Sequence, residues 1–550
     1  MTSATSFFNF RVLRKDITRF APVWSLYTIF VAIMVLGNLH GSREPDDAAA
    51  TLGYFLNGMP WVNLFYALLC ATLLFGDLFV PRLCYALHAM PLRREGWFLT
   101  HITAGFLFSL VPDLLVALLS ISELGDYWYA AFSWLLGAQL QYLFFFGAAV
   151  FCALCAGNRL ATSLMYGIVN FTSLLVYWMA VLFYEPTLYG FTFRKEAFFC
   201  FSPAVYFSSA SQQPFWFLED SLRPVGDFWG YSAAIGGIGL VLLILALVLY
   251  RRRHLESAGD FIAFKPVAIG FRVVYTLAVG LLFYFFGELF LYDATEIVYY
   301  GLMVMGMVVG YFTAQMMLRR TVKVFRLRNV FGCGILIGLV ALSVFITALD
   351  PFGVTRRVPD PEDVVSISYS GYYNGSGEVT VTDPDDIADL VSIHQNIVDQ
   401  DVFWSGKSVS FSIYYELSSG LDLERHYCIA QDSEAARAIE KYLSRPEYVL
   451  GYSNWDGFVR SVFSLDISMS TTGDTVNLED PEQIRALLEA VRADCEAGRI
   501  TAPERYLGGE DTYVAWLGIC YNGAYSGWTY GLSIYSNYTE TWNWLQENVE

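Results

Sequence analysis

Few side chains in this sequence are placed to do chemistry, and each has to be weighed against its surroundings. Asp113 follows Pro112 inside a long apolar run. A bare carboxylate at hydrocarbon depth costs about 2.5–3.5 kcal/mol on insertion scales, so it must face a polar interior or be neutralised. Two readings stay open: a polar residue lining a translocation path, or a hydrogen-bonded contact between helices that supports the kink at Pro112. Glu288 falls near the end of another run, at the interface. Gln139, Gln141, Asn170 and Gln315 read as hydrogen-bonding links between helices. Cys152 and Cys155 form a CxxC, but within the apolar stretch CALC, where thiols behave as small buried hydrophobes. The acidic group Asp383, Asp385, Asp386 and Asp389 lacks the glycine turn of an EF-hand loop, so helix capping explains it and no metal is expected. Ser405-Gly406-Lys407-Ser408 has the ending of a phosphate-binding loop, yet position 401 is Asp where that loop needs Gly. The four histidines before residue 351 share no ligand spacing. There is no HExxH, no GxSxG, and no GxGxxG between a strand and a helix. The chain offers no nucleophile–base pair, so it is not expected to be an enzyme.

What must position these residues is a series of apolar runs. Of 550 residues, 55% are hydrophobic and 16% charged, against about 25% charged in soluble domains. Runs long enough to cross about 30 Å of hydrocarbon cover roughly 22–39, 61–78, 98–121, 128–156, 160–184, 233–250, 273–291, 297–318 and 330–349. The fold class is therefore a polytopic α-helical membrane protein. Basic residues orient it. Arg11, Arg14, Lys15 and Arg19 precede the first run, and Arg82, Arg93 and Arg94 divide the second from the third. Arg159 divides the fourth from the fifth, Arg251 to Arg253 follow the sixth, and Arg319, Arg320, Lys323, Arg326 and Arg328 follow the eighth. Lys and Arg gather on the cytoplasmic side of a cell membrane, which puts the N-terminus inside and everything after the ninth span outside. Residues 1–20, with Phe7, Phe8, Phe10 and Leu13 on one side, are expected to form an interfacial amphipathic helix rather than a cleaved leader.

Three stretches carry a family likeness. Met90-Pro91-Leu92-Arg93-Arg94-Glu95-Gly96-Trp97-Phe98 resembles the first cytoplasmic loop of ABC-2-type transporter permeases: Pro-Leu, a basic pair, then an apolar restart. Phe198 to Phe207, broken at Pro203, falls where those permeases carry re-entrant helices, the alternative being an exterior loop with aromatic anchors. Ser257-Ala258-Gly259 and Ala263-Phe264-Lys265-Pro266 resemble a linker of the Ytr-type permeases of Gram-positive bacteria. The resemblance implies a six-span core over 21–254, with a coupling loop at 77–101 and a re-entrant segment at 185–230. A linker and three additional spans follow over 255–350. It also implies that Arg82, Pro91, Leu92, Arg93, Arg94, Glu95 and Trp97 meet a separate cytoplasmic ABC ATPase. ATP and Mg would be held in that partner, and no cofactor by this chain. A second permease chain, identical or paralogous, is implied as well. The implied cargo is a lipid, a peptide antibiotic or a cell-envelope component.

Beyond residue 350 the texture changes. Residues 351–550 hold 12 Lys and Arg against 32 Asp and Glu, a net of −20, leaving +2 for the rest. Such an acidic surface argues against nucleic acid. VVSISYS and SVSFSIYYEL alternate as half-exposed strands do. Asp383-Pro384 and Asp480-Pro481 each supply an N-cap and a first-turn proline. The two helices align at a spacing of 97 residues, Ile387 over Ile484, which predicts two related α+β units at 351–450 and 451–550. Cys428, Cys495 and Cys520 are odd in number, and no bridge is required of them. The competing function is a membrane-anchored sensor whose acidic outer domain binds a ligand.

Overall fold

The computed structural model describes residues 8–549 except 43–44, 89–92, 209–213, 219–220, 254–258, 292–293, 372–378, 401–407, 421, 431–432, 444–458, 470–474, 501–512 and 523–525. Contacts divide the chain into two units. One holds residues up to Ala180 together with Arg194–Leu342, and the other holds Val181–Phe193 and Ser343 onward.

The first unit is helical. Its elements are α1 (Phe10–Arg19), α2 (Ala21–Leu39), α3 (Pro45–Leu74), α4 (Pro81–His88), α5 (Arg94–Leu124), α6 (Tyr129–Cys155) and α7 (Arg159–Phe183). They are followed by α8 (Lys195–Phe199), α9 (Pro203–Ser208), α10 (Gly226–Arg252), α11 (Lys265–Phe290), α12 (Glu296–Arg319) and α13 (Leu327–Ala348). Among the described residues nine helices are long and apolar enough to cross a membrane, as a multi-pass membrane protein requires.

The apolar runs set where the helices lie, but caps set where they begin. α3 starts at Pro45, well before the apolar run at 61, because Pro45 needs no N–H partner and Asp46 and Asp47 complement the positive helix end. The stretch expected as an outer loop is thus partly helix. Pro266 lets α11 begin early in the same way. On α1 the inward residues are Leu13 and Asp16, while Phe10 points outward at 77% exposure. The expected single apolar face of Phe8, Phe10 and Leu13 is therefore split, and Phe7 lies outside the described residues.

α6 is the most buried of the nine long helices and packs on α3, α5 and α10. It crosses α10 where Gly147 meets Gly239: a Cβ on Gly147 would lie 2.4 Å from the Gly239 carbonyl oxygen, so the backbones can approach this closely only without side chains. After α7, the segment around Pro203 is broken as expected. α8 ends, Ser202 Oγ donates to the Asn170 carbonyl at 2.8 Å, and Pro203 opens α9. A hairpin of β1 (Phe215–Leu218) and β2 (Ser221–Pro224) follows, in a stretch that gave no strand signal.

The second unit contains two four-stranded antiparallel sheets. The first is β3 (Val364–Gly371), β4 (Val379–Val381), β5 (Ser408–Leu417) and β6 (Asp422–Ala430), with α14 (Pro384–Gln400) after β4 and α15 (Glu434–Leu443) after β6. The second is β7 (Val462–Met469), β8 (Thr475–Leu478), β9 (Tyr513–Asn522) and β10 (Ser526–Tyr535), with α16 (Pro481–Glu496) and α17 (Thr539–Asn548) in the same places. Both run in the spatial order second, first, third, fourth strand. Their irregularities coincide too. The register slips between Val364 and Ser366 against β5, and between Val462 and Ser464 against β9. Asp383 and Asp480 cap α14 and α16 as the sequence predicts, accepting from Asp385 N and Glu482 N at 3.0 Å each.

Candidate functional site

The loop joining α3 to α5 is built on the arginine-bearing side of the helices. A 3₁₀ turn, Gly76–Phe79, closes α3. Pro81 then starts α4 with its φ already set for a helix. α4 buries Cys84 and exposes Arg82, Leu83 at 48% and Tyr85 at 51%. Pro91 and Leu92 lie outside the described residues. Arg93 stands exposed at the N-cap of α5, Arg94 is half-buried, and Glu95 Oε1 receives Arg251 Nε at 3.1 Å.

Trp97 is not part of any exposed face. It is 4% exposed, with its ring centroid 4.2 Å from His101, 5.5 Å from Phe75 and 5.6 Å from Tyr250. An indole gains too much from this packing to stay at the surface. The expectation that Trp97 meets a partner is corrected accordingly: it anchors α5 in the core.

Arg253 departs from the sequence reading as well. Grouped with Arg251 and Arg252 as a basic cluster after the sixth run, it instead turns inward and is 7% exposed. Nη1 donates to the Ala153 and Leu154 carbonyls at 3.2 and 3.1 Å, and Nη2 to the Leu78 carbonyl at 3.5 Å. The last carbonyls of a helix lack intrahelical partners and carry the negative end of its dipole, so a guanidinium there satisfies both. One side chain thereby ties the end of α6, the end of α10 and the turn leading into α4. The linker after α10 is fastened to the same place, since Ala263 N donates to Cys155 O and Gly259 N to Gly157 O, both at 2.8 Å.

Asp113 is fully buried between α2, α5 and α6. Tyr27 Oη donates to its Oδ1 at 3.1 Å, while Ser109 Oγ and Gln139 Nε2 donate to Oδ2 at 3.1 and 2.7 Å. Tyr66 stacks on Tyr27 with centroids 3.8 Å apart. Three donors around a carboxylate are what burial demands. Of the two readings, the geometry is that of a link between helices, and Gln139 is the residue that reaches across from α6. A second buried pair escaped the sequence reading: His101 Nδ1 lies 2.6 Å from Asp16 Oδ2, joining α1 to α5. Residues 85 apart in sequence give no local signal of such a contact.

No protein family, curated protein or solved structure matches this chain. The likeness to ABC-2 permeases therefore rests on the residues quoted for it.

In the second unit, the loop after α7 is clamped to the first sheet. Phe191 pairs with Arg425 of β6 as an isolated bridge, and His426 N donates to the Gly190 carbonyl at 3.0 Å. Gly190 has φ +72°, and a Cβ there would stand 1.9 Å from the Tyr427 ring. Arg425, 1% exposed, donates from Nη2 to the Val354 carbonyl at 2.9 Å and lies over the Phe191 ring at 5.5 Å. Behind it His394 is fully buried, with Nδ1 2.8 Å from Tyr415 Oη and Nε2 2.7 Å from Tyr427 Oη. Burial, helped by the nearby Arg425 charge, pushes the imidazole down to about 3. It is neutral at physiological pH, accepting at one nitrogen and donating at the other.

In the second α+β unit the buried carboxylate is Asp494, on α16. It accepts from Arg499 Nη1 at 2.6 Å, from Glu540 N and Thr541 N at 3.1 and 2.8 Å, and from Thr541 Oγ1 at 2.6 Å, so it caps α17. Among the described residues no three His, Cys, Asp or Glu side chains converge as a metal site. Ser405 to Lys407 lie outside those residues.

Proposed function

We propose that this chain is the membrane subunit of a transporter driven by a separate ATPase, with α4 and the start of α5 as the docking surface. The observation that carries this reading is the contrast within that loop. Arg82, Leu83 and Tyr85 face outward, while Cys84, Trp97 and Arg253 hold the same loop to three long helices. A push on α4 is then delivered to α6 and α10 through Arg253 rather than absorbed by a slack connection. Short loops braced in this way suit the transmission of force. Exposed apolar residues flanked by arginine suit a protein partner whose surface is partly acidic. In this reading the basic end of the helices faces the cytoplasm, where ATP is available, and the two acidic α+β units stand outside the cell as an internal duplication. The cargo class follows from the family likeness alone: a lipid, a peptide antibiotic or a cell-envelope component.

The test is co-purification. Gently solubilised wild-type protein should carry Mg-dependent ATP hydrolysis from its native membrane. The double variant Arg82→Glu, Leu83→Glu should lose it while melting at the same temperature. Wild-type protein without ATPase activity, or a variant that keeps it, overturns the proposal.

A further inference from the structure

We propose that the connection between α12 and α13 is a binding surface for anionic phospholipid headgroups. Arg319, Arg320, Lys323, Arg326 and Arg328 are the only charged residues between Glu296 and Asp350. All five are exposed. The preference of Lys and Arg for one side of a membrane accounts for cations at this end of a helix, but not for what they meet there. Other arginines at helix ends are occupied: Arg251 pairs with Glu95, and Arg253 holds three carbonyls. Here a single carboxylate reaches the group among the described residues, Asp260, and it meets Arg320 at 3.6 Å. Arg319, Lys323, Arg326 and Arg328 have no acidic partner among the described residues.

The turn holds these cations in place rather than letting them trail into solvent. Val324 is fully buried, and its carbonyl accepts from Asn329 Nδ2 at 2.6 Å and from Arg326 N at 2.8 Å. The Phe325 ring stacks on Phe312 of α12 with centroids 4.8 Å apart. Depth follows from length. α12 has 24 residues and α13 has 22, or about 36 and 33 Å of helix, against about 30 Å of hydrocarbon. Their joined ends therefore stand at the headgroup layer, and a short turn over 320–326, pinned at its middle, stays there.

Within that layer the turn matches both parts of a lipid. Val322, Phe325 and Leu327 are 72, 69 and 72% exposed between the cations. Such a mixture is unfavourable against water and favourable where acyl chains meet headgroups. Of α13 only Asn329 and Cys333 are buried, so its sides are open to acyl chains up to the turn. Each Lys or Arg held beside a spanning helix strengthens attraction to anionic lipid by about fivefold. An acidic protein surface would satisfy the charges but not an apolar fringe set at the edge of the hydrocarbon. The surface is distinct from α4, so its loss and the loss of ATPase docking are separable.

The full-length protein in a neutral detergent should be photolabelled with phosphatidylglycerol and with phosphatidylcholine, each carrying the same diazirine close to the glycerol, and the adducts mapped by mass spectrometry. Residues 319–335 should take phosphatidylglycerol over phosphatidylcholine by about tenfold or more. Lys323→Gln, Arg326→Gln and Arg328→Gln together should cut that preference by about tenfold or more at an unchanged melting temperature. The charge-keeping set Lys323→Arg, Arg326→Lys and Arg328→Lys should retain it. Removing as many charges from α1, by Arg11→Gln, Arg14→Gln and Lys15→Gln, should leave labelling of 319–335 as in wild type. Inorganic phosphate at the concentration of the lipid should not compete, which tells a headgroup from a free anion. Equal labelling by the two lipids in wild type, a preference that survives in the neutral variant, or displacement by inorganic phosphate overturns the proposal.

Discussion

His394 gives the sharpest test of the second unit's packing. In the folded protein its ring sits between two tyrosine hydroxyls, with a pKa near 3. In the unfolded chain it returns to about 6.5. A buried group that must stay neutral adds nothing above the unfolded value, where both states are uncharged. As pH falls below about 6.5 the unfolded chain takes up a proton that the folded one refuses, so stability drops until the pH reaches the folded value. At pH 5 the difference in proton uptake amounts to about 2 kcal/mol. Glutamine can replace both hydrogen bonds without titrating, so His394→Gln should remove this component and leave the contributions of the carboxylates untouched. The assay is native-state hydrogen exchange of α14, β5 and β6 at pH 7.5 and pH 5, corrected for intrinsic exchange rates. Local opening should become easier at pH 5 in wild type, by about 2 kcal/mol more than in the variant. Equal pH dependence in the two proteins would refute the claim that a neutral imidazole holds Tyr415 and Tyr427 together.

Two further outcomes follow from the geometry. Gly190→Ala forces a Cβ into the Tyr427 ring at a positive φ. It should cost about 2 kcal/mol or more and raise hydrogen exchange across residues 186–193, and unchanged protection there would show that the loop is not clamped. Asp113→Asn keeps an oxygen for Ser109 and Gln139, and Tyr27 can turn its hydroxyl to accept, so its melting temperature should stay near wild type. Asp113→Leu takes the acceptor from Tyr27, Ser109 and Gln139, leaving Gln139 only its 3.0 Å bond to Ser109 Oγ, and should cost about 3 kcal/mol or more. A leucine variant as stable as wild type would sink the reading of Asp113 as a link between helices.

The number and place of the long helices were legible in the sequence, because hydrocarbon thickness imposes a length that composition alone reveals. The two caps at Asp383 and Asp480 were legible for a similar reason: a cap is a local bargain between neighbouring residues, and its aspartate and proline stand side by side. The spacing of 97 residues between them anticipated two sheets of one topology.

Contacts between distant segments could not be read in this way. Arg253 looks like its neighbours Arg251 and Arg252 in any linear reading, and only the end of α6, a hundred residues earlier, decides that it turns inward. Trp97 belongs to a loop motif by sequence and to the core by packing, because its fate depends on Phe75 and Tyr250 being present on either side. Burial of Asp113 needed three donors from two neighbouring helices and its own, and the neutrality of His394 needed two strands to bring their tyrosines to one ring. Length, apolarity and capping are properties of a short stretch of chain and are fixed before folding. The state of a charge depends on which partners replace its water, and those are chosen only when remote segments meet.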